Sequence, residues 1–253
     1  MESNIITWLE KQGYPLEMYT SLKFKENKFR VSQSVYYYDH ELNKNREIDI
    51  IAYRGKFVDN KFAFIEYVIE CKSSEKPWLL FCSKRETSYD SAIEFGEYDF
   101  TDDSFPLLSH LVAKDLLAKL CPFYFDFKHI GYGLTQAFTT GNDNAFKATQ
   151  TLIKCCDSKR TESEKSSIEE VKIFIPILLV DSPVFEVSLS DEYKLELKQI
   201  EVGFLSTNNH SILIMNKSNL DSFCKCAHAS SEWLIDYCES NLSYIIKEYD
   251  GAI

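Results

Sequence analysis

The sequence predicts an α/β fold in which a mixed β-sheet is flanked by helices. Two helical segments open the chain, three segments rich in β-branched and aromatic residues follow, and strand and helix patterns then alternate toward the end. A helical insertion and a β-rich C-terminal continuation complete the predicted order. Because 253 residues suffice for one sizeable core, we expect a single domain covering residues 1–253.

Two short helices are expected at the start of the chain. Ile5, Trp8 and Leu9 have helical spacing within residues 4–12, and Gly13 follows as a stop signal. Pro15 suits the first position of a second helix, which places Glu17 in the first turn of that helix. A carboxylate at this position either faces a functional site or simply complements the helix dipole.

Three strands in an antiparallel meander are expected next. Residues 29–38 are rich in aromatic and β-branched side chains, and residues 47–53 alternate so that Asp49 faces away from Ile48 and Ile50. The third strand, within residues 62–74, is apolar enough to lie in the centre of a sheet.

The remaining segments are predicted from their amino-acid composition and from the spacing of their apolar residues. Residues 76–128 are expected to be mostly helix and loop and to form the insertion, whereas residues 157–167 lack apolar side chains and predict a loop. Residues 129–253 contain further strands and helices. We expect this continuation to extend the first sheet, because a helix followed by a strand is the usual crossover order; a small separate α/β subdomain is the alternative.

The charge disfavours a protein that binds nucleic acid through a broad basic surface. The chain has 28 basic and 39 acidic residues and a net charge of -11, whereas phosphate neutralisation requires clustered Lys and Arg. One basic run, Lys23, Lys25, Lys28 and Arg30, forms either a small positive patch or an ordinary solvated face.

The cysteine pattern and the first residues predict a cytoplasmic, soluble protein. The start of the sequence lacks the features of a secretory signal, and no apolar run reaches the roughly 18 residues of a membrane span. The 8 cysteines are therefore expected as buried thiols in a reducing compartment. A Cys/His metal cluster around Cys224, Cys226 and His228 is the less favoured alternative.

The residues that predict chemistry are Asp49, Glu70 and Lys72. Strand period two places Glu70 and Lys72 on one face, and a suitable register would bring Asp49 beside Glu70, with Cβ atoms about 5 Å apart. Mg²⁺ typically binds one or two carboxylates together with waters and phosphates, and the backbone carbonyl of Cys71 offers a further ligand. Lys72 can orient an attacking water or stabilise negative charge. Glu17 is a possible fourth member.

Residues 5–75 resemble the PD-(D/E)XK nuclease superfamily in the order of their elements. A helix with Glu17 comes first, and a strand, the segment REIDIIA with Asp49 and the segment VIECKSS with Glu70 and Lys72 follow it. The resemblance implies a restriction-endonuclease-like core in which Asp49 and Glu70 bind Mg²⁺, with Mn²⁺ as a substitute, and Lys72 acts on the water. It further implies phosphodiester hydrolysis through a metal-bound water, with DNA favoured over RNA and a role in defence or repair. Ile48 stands where the family's name-giving proline would be.

Other interpretations remain open at the level of sequence. The polar residues of the two strands could simply face water, and the chain could be a catalytically silent binding or assembly subunit. A larger protein partner or a homo-oligomer is also possible. Gln136, Lys147 and Gln150 are candidate supporting residues, with ordinary surface positions as the alternative. No phosphate-binding loop, GxGxxG or GxSxG motif is present, which disfavours ATP or nicotinamide chemistry.

Overall fold

The computed structural model describes residues 1–10, 12–84, 99–120, 122, 128–140, 144–207 and 209–250. The helices are α1 Glu2–Glu10, α2 Tyr14–Glu26, α3 Phe105–Ala113, α4 Asn144–Glu164 and α5 Leu220–Asp250. The strands are β1 Arg30–Asp39, β2 Lys44–Val58, β3 Lys61–Lys72, β4 Trp78–Lys84, β5 His129–Gln136, β6 Glu170–Val180, β7 Val184–Leu189, β8 Leu195–Ile200, β9 Val202–Ser206 and β10 Ser211–Asn216. The fold class is therefore α/β, as predicted.

The ten strands of the described residues form one mixed sheet in the order β1-β2-β3-β6-β10-β9-β5-β4-β7-β8. β1, β2 and β3 form the predicted antiparallel meander. β6 then pairs with β3 in parallel, and β10 pairs with β6 in parallel. The C-terminal strands thus extend the first sheet, which confirms the favoured prediction over a separate subdomain. β3 lies in the interior of the sheet, and its residues from Ala63 to Cys71 are buried.

Helices cover both faces of this sheet. On one face, Phe24 of α2 and Phe223 of α5 pack against Tyr67 of β3. On the other face, Leu152 of α4 belongs to the core that contains Val68 of β3. Burial of large apolar side chains on both faces is the main stabilising term, at about 1.5–3 kcal/mol for each fully buried side chain. None of the described helices is both long enough and apolar enough to cross a membrane.

The end of α4 corrects one prediction. The segment 157–167 was expected to be a loop, yet α4 continues to Glu164. Two ion pairs at helical spacing support this polar turn, Lys159 with Glu162 at 2.8 Å and Arg160 with Glu164 at 2.8 Å. The buried side chain of Ser158 shows that one side of the segment also packs inward. The polar composition of this segment was therefore misleading as a loop signal, because ion pairs within the helix stabilise it in place of buried apolar side chains.

The predicted helical insertion is only partly helical. α3 and the short 3-10 turns Asp102–Ser104 and Leu117–Lys119 agree with the prediction. β4, in contrast, is a strand that pairs with β5 and β7, so the expectation of helix and loop is wrong for its residues. Trp78 and Leu80 of β4 are buried in the sheet, and these distant neighbours determine the strand conformation. Residues 85–98, 121 and 123–127 of the predicted insertion lie outside the described residues.

Candidate active site

The ladder between β2 and β3 ends immediately before Asp49 and Glu70. It runs from the pair Val58–Lys61 to the pair Ile50–Ile69, and the next position on each strand holds one of the two carboxylates. Beyond this point β2 continues beside β1, whereas β3 continues beside β6. We call this place the strand fork and define it by Asp49, Glu70 and Lys72. The register that the sequence could not determine therefore sets the two carboxylates opposite each other.

An irregularity in β1 accompanies the fork. Ser34 lies opposite Asp49, is skipped in the pairing of β1 with β2, and has a left-handed backbone with φ of 51°. At this level the alternation of side chains along β2 is interrupted. Ile50 packs in the layer of α2 and α5, whereas Ile48 packs in the layer of α4. The prediction that Ile48 and Ile50 share one face opposite Asp49 is therefore wrong. The left-handed residue in β1 interrupts the regular alternation of the ribbon.

Two hydrogen bonds hold the polar groups of the fork. Oδ2 of Asp49 accepts the backbone N–H of Cys71 at 2.7 Å, which connects β2 to β3 beyond the end of their ladder. Nζ of Lys72 donates to Oε1 of Glu70 at 2.5 Å. The second oxygen of Glu70, Oε2, is buried and has no hydrogen-bond partner among the described residues. A buried carboxylate oxygen without a partner is costly, so this atom is available to a ligand.

The fork concentrates negative charge in a poorly solvated place. Burial raises the pKa of Glu70 to about 7, Lys72 opposes this shift, and the carboxylates of Asp49 and Glu17 add to it. Burial also raises the pKa of Asp49, against the hydrogen bond from Cys71. Burial is the largest cause of both shifts, and at Glu70 the attraction of Lys72 offsets the repulsion from Asp49 and Glu17. A divalent cation would stabilise the ionised form of these buried carboxylates.

Glu17 belongs to the same electrostatic group. Burial raises the pKa of Glu17, and the next largest influence is the repulsion from Asp49. The position follows from the packing of α2, because Leu16 and Thr20 beside Glu17 are buried. The structure thus brings Glu17 near Asp49 and Lys72, as the interpretation of Glu17 as a fourth member requires.

Lys72 is a cation in this environment. Burial acts to lower the pKa of Lys72, but attraction to Glu70 and the hydrogen bond between the two side chains outweigh burial, so the pKa is raised. The side chain is about one third exposed. At neutral pH the fork therefore presents an ammonium group that is fixed by Glu70 and still reachable from solvent.

Cys71 can contribute only through its backbone. Its thiol is buried, lies 3.9 Å from Oγ1 of Thr20, and has a pKa raised well above the ordinary value by burial. The side chain of Cys71 packs in the apolar layer of α2 and α5, on the face of β3 opposite Glu70 and Lys72. The amide of Cys71 is already used by Asp49, which leaves the backbone carbonyl, the group expected from the sequence, as the one to consider for a metal.

The donor set fits a cation that keeps part of its hydration. In the described part of the chain, no group of three His, Cys, Asp or Glu side chains is arranged to hold a metal ion. This finding applies to the fork and also to Cys224, Cys226 and His228. Two carboxylates, one with an unpartnered buried oxygen, nevertheless match the usual protein share of a Mg²⁺ site, in which waters and phosphates complete the coordination.

Residues around the fork support the loop that follows Lys72. Asp181, directly after β6, accepts hydrogen bonds from the Ser73 hydroxyl at 2.5 Å and the Ser74 amide at 3.0 Å. The sequence interpretation missed Asp181, although an acidic residue at the end of an apolar strand was the available signal. Gln136 is buried at the end of β5, where Nε2 donates to the Ser74 hydroxyl and Oε1 accepts from Asn144.

The other candidate residues have more ordinary positions. Lys147 is exposed on α4, and Gln150 lines a pocket of about 500 Å³ together with Tyr132 and His210. In the basic run, Lys23 forms ion pairs with Glu26 and Asp221. These contacts favour the interpretation of Lys23 as part of a solvated, ion-paired face.

The whole chain was compared with protein families, curated proteins and solved structures. No family model matches the sequence, and neither a curated protein nor a solved structure shows a significant match. The resemblance to the PD-(D/E)XK superfamily therefore depends on the sequence motif with Glu17, Asp49, Glu70 and Lys72 alone.

Proposed function

We propose that this chain is a Mg²⁺-dependent nuclease that hydrolyses phosphodiester bonds, with DNA as the favoured substrate. The observation that carries the proposal is the strand fork, where Asp49, Glu70 and Lys72 meet at the end of the β2–β3 ladder. The resemblance to the PD-(D/E)XK superfamily supports the same function and is the sole reason to favour DNA, because no residue described above recognises a 2′-hydroxyl.

Asp49 and Glu70 would hold the metal, through the buried Oε2 of Glu70 and the oxygen of Asp49 that does not bind Cys71. When bound, Mg²⁺ would neutralise charge on the scissile phosphate and favour ionisation of the attacking water. The hydrogen bond from Cys71 fixes the orientation of Asp49 before any ligand arrives. Such preorganisation lowers the cost of arranging the reacting groups.

Lys72 would stabilise the negative charge that develops on the phosphate. Its ammonium is held by Glu70 at 2.5 Å and its side chain is partly exposed, so a bound phosphate can approach it. In a poorly solvated site, removal of one such charged donor typically costs about 10²- to 10³-fold in rate. Glu17 would hold a proton or orient water beside Asp49, a role for which burial and its raised pKa suit this carboxyl.

A second candidate is a catalytically silent relative that acts as a binding or assembly subunit. Two observations favour it: the net charge of -11 is unfavourable for gripping nucleic acid, and no three-ligand metal cluster occurs within the described ranges. A larger partner protein could supply the missing contacts to nucleic acid. The two candidates differ in whether the purified chain cleaves a substrate by itself.

The decisive experiment is a cleavage assay with the purified chain. Linear DNA, circular DNA, single-stranded DNA and RNA are incubated with Mg²⁺, with Mn²⁺ and with a chelator. We expect metal-dependent cleavage by the wild-type chain, loss of cleavage in Asp49→Ala, and unchanged cleavage in Asp191→Ala, which removes an exposed carboxylate between β7 and β8. Absence of cleavage on all four substrates, with the chain folded, would favour the silent subunit.

We further propose a cytoplasmic location. The support is the state of six buried cysteines, which carry free thiols and occur on both faces of the sheet: Cys71, Cys82, Cys155, Cys156, Cys224 and Cys238. Adjacent and buried free thiols are typical of proteins that fold in a reducing compartment.

A further inference from the structure

Strand β8 forms one edge of the sheet and exposes apolar side chains there. It pairs with β7 on one side and is last in the order of the described strands. Leu195 is 75% exposed and Leu197 is 66% exposed. Edge strands of this kind offer unpaired backbone N–H and C=O groups to another strand, and proteins usually protect such edges with charge, proline or a covering segment.

The opposite face of β8 carries one acidic and one basic side chain. Glu196 and Lys198 alternate with the two leucines, so they project from the other face of the strand. Both side chains are exposed, and neither forms an ion pair with another described residue. Glu196 and Lys198 lie one on each side of Leu197. Two copies of β8 that pair antiparallel can therefore place these opposite charges against each other.

We infer that β8 is a homodimerisation strand that pairs antiparallel with β8 of a second copy about a two-fold axis at Leu197. In this register Leu197 faces its own equivalent, and Glu196 of each copy faces Lys198 of the other. Opposite charges that face each other directly across an antiparallel pair are stabilising. The contact is isologous and therefore closes as a dimer.

Neighbouring registers lack this complementarity. A pairing centred at position 196 places the two Glu196 side chains opposite each other, and a pairing centred at position 198 does the same for Lys198. Like charges that face each other directly are destabilising. A shift by one residue places Leu197 against a charged side chain. The sequence of β8 thus selects one register for self-pairing.

The size of the strand predicts a modest affinity. β8 has six residues, and the adjoining exposed side chain of Leu189, paired with Leu195 in the hairpin, extends the apolar face. An interface of this extent falls at the small end of specific protein contacts. We therefore expect a dimer whose population depends on protein concentration. The inference concerns an edge of the sheet other than the fork and does not depend on the proposed nuclease activity.

Complementary charge variants test the inference. Glu196→Lys alone and Lys198→Glu alone each place like charges opposite each other, so sedimentation equilibrium should show dimerisation weakened by about tenfold. An equimolar mixture of the two variants restores opposite charges at both positions and should form a heterodimer. The pairing is overturned if the wild-type chain is monomeric at every concentration, or if the mixture associates no better than each variant alone.

Single cysteine substitutions test the register. Leu197→Cys places two thiols opposite each other, with Cβ atoms about 5 Å apart, and should give a disulfide-linked dimer under mild oxidation that the parent chain does not give. Leu195→Cys lies on the same face but opposite Gln199, so it serves as the matched control and should remain uncrosslinked. Equal crosslinking of both variants would overturn the proposed register. Circular dichroism verifies the fold of each variant.

Discussion

The carboxylate of Asp49 accepts the backbone N–H of Cys71 at 2.7 Å, although the ladder between their strands has already ended. A side chain of β2 thus replaces the backbone as the partner of this β3 amide. The position of Asp49 is consequently tied to the residue between Glu70 and Lys72. Any substitution of Asp49 affects both the proposed chemistry and the connection between the two strands.

Substitutions at Asp49 can separate these two roles. Asp49→Asn keeps an oxygen that can accept from Cys71, so we expect a loss of less than about 1 kcal/mol in the free energy of unfolding, whereas Asp49→Ala should lose about 1–3 kcal/mol. Both variants should lose cleavage by at least about 100-fold, since one metal ligand is gone. Urea unfolding and a cleavage assay measure the two effects. Substantial activity in Asp49→Asn would contradict the proposed role of the carboxylate.

Metal binding should be visible without any substrate. The buried, unpartnered Oε2 of Glu70 and the burial of this carboxyl beside Asp49 predict that Mg²⁺ or Mn²⁺ stabilises the folded chain. At one hundred times the dissociation constant the gain is about 2.7 kcal/mol, or about 5–10 °C in the melting temperature. Glu70→Gln should abolish the shift, whereas Asp191→Asn should keep it. Identical melting of the wild-type chain with Mg²⁺ and with chelator would count against the metal site.

A buried ion pair between β6 and β3 provides a test of the core. Nζ of Lys172 lies 3.1 Å from Oε2 of Glu66, both side chains are buried, and the ammonium also lies over the ring of Phe174 at 4.8 Å. Lys172→Met leaves the Glu66 carboxylate without its cation and should cost about 3–5 kcal/mol in the free energy of unfolding. Combining it with Glu66→Gln should recover part of this loss. Strictly additive losses in urea unfolding would show that the pair is not coupled.

His210 should make stability depend on pH in the alkaline range. Its Nδ1 lies 2.8 Å from Asp99 and its Nε2 lies 3.0 Å from Asp157. Burial acts to lower the pKa of His210, but the hydrogen bonds to Asp157 and Asp99 outweigh burial and raise the pKa to about 9.

Because the folded pKa exceeds the unfolded value of about 6.5, the stabilisation is fully present below pH 6.5 and is lost as the pH rises through 9. The loss amounts to at most about 3 kcal/mol. Urea unfolding between pH 6 and pH 10 should show this decline in the wild-type chain and a smaller one in His210→Gln. Parallel curves for the two chains would refute the assignment.

Most elements of the fold could be predicted from local patterns. The antiparallel meander, the pairing of Glu70 and Lys72 on one face, and the helix bearing Glu17 agree with the structure in the described residues. The predictions failed where distant contacts decide the conformation. β4 is a strand because it is inserted between β5 and β7, and residues 157–164 are helical because ion pairs within α4 replace apolar burial.

The sequence by itself determined which polar residues are candidates for the site and that Glu70 and Lys72 share one strand face, because the period of a regular strand is a local property of the backbone. The tertiary structure alone decided that Asp49 and Glu70 oppose each other, that β2 and β3 separate at that level, and that Asp181 supports the loop after Lys72. Register and strand order depend on pairing between segments far apart in the chain, and the side-chain pattern of each segment by itself is compatible with several such pairings.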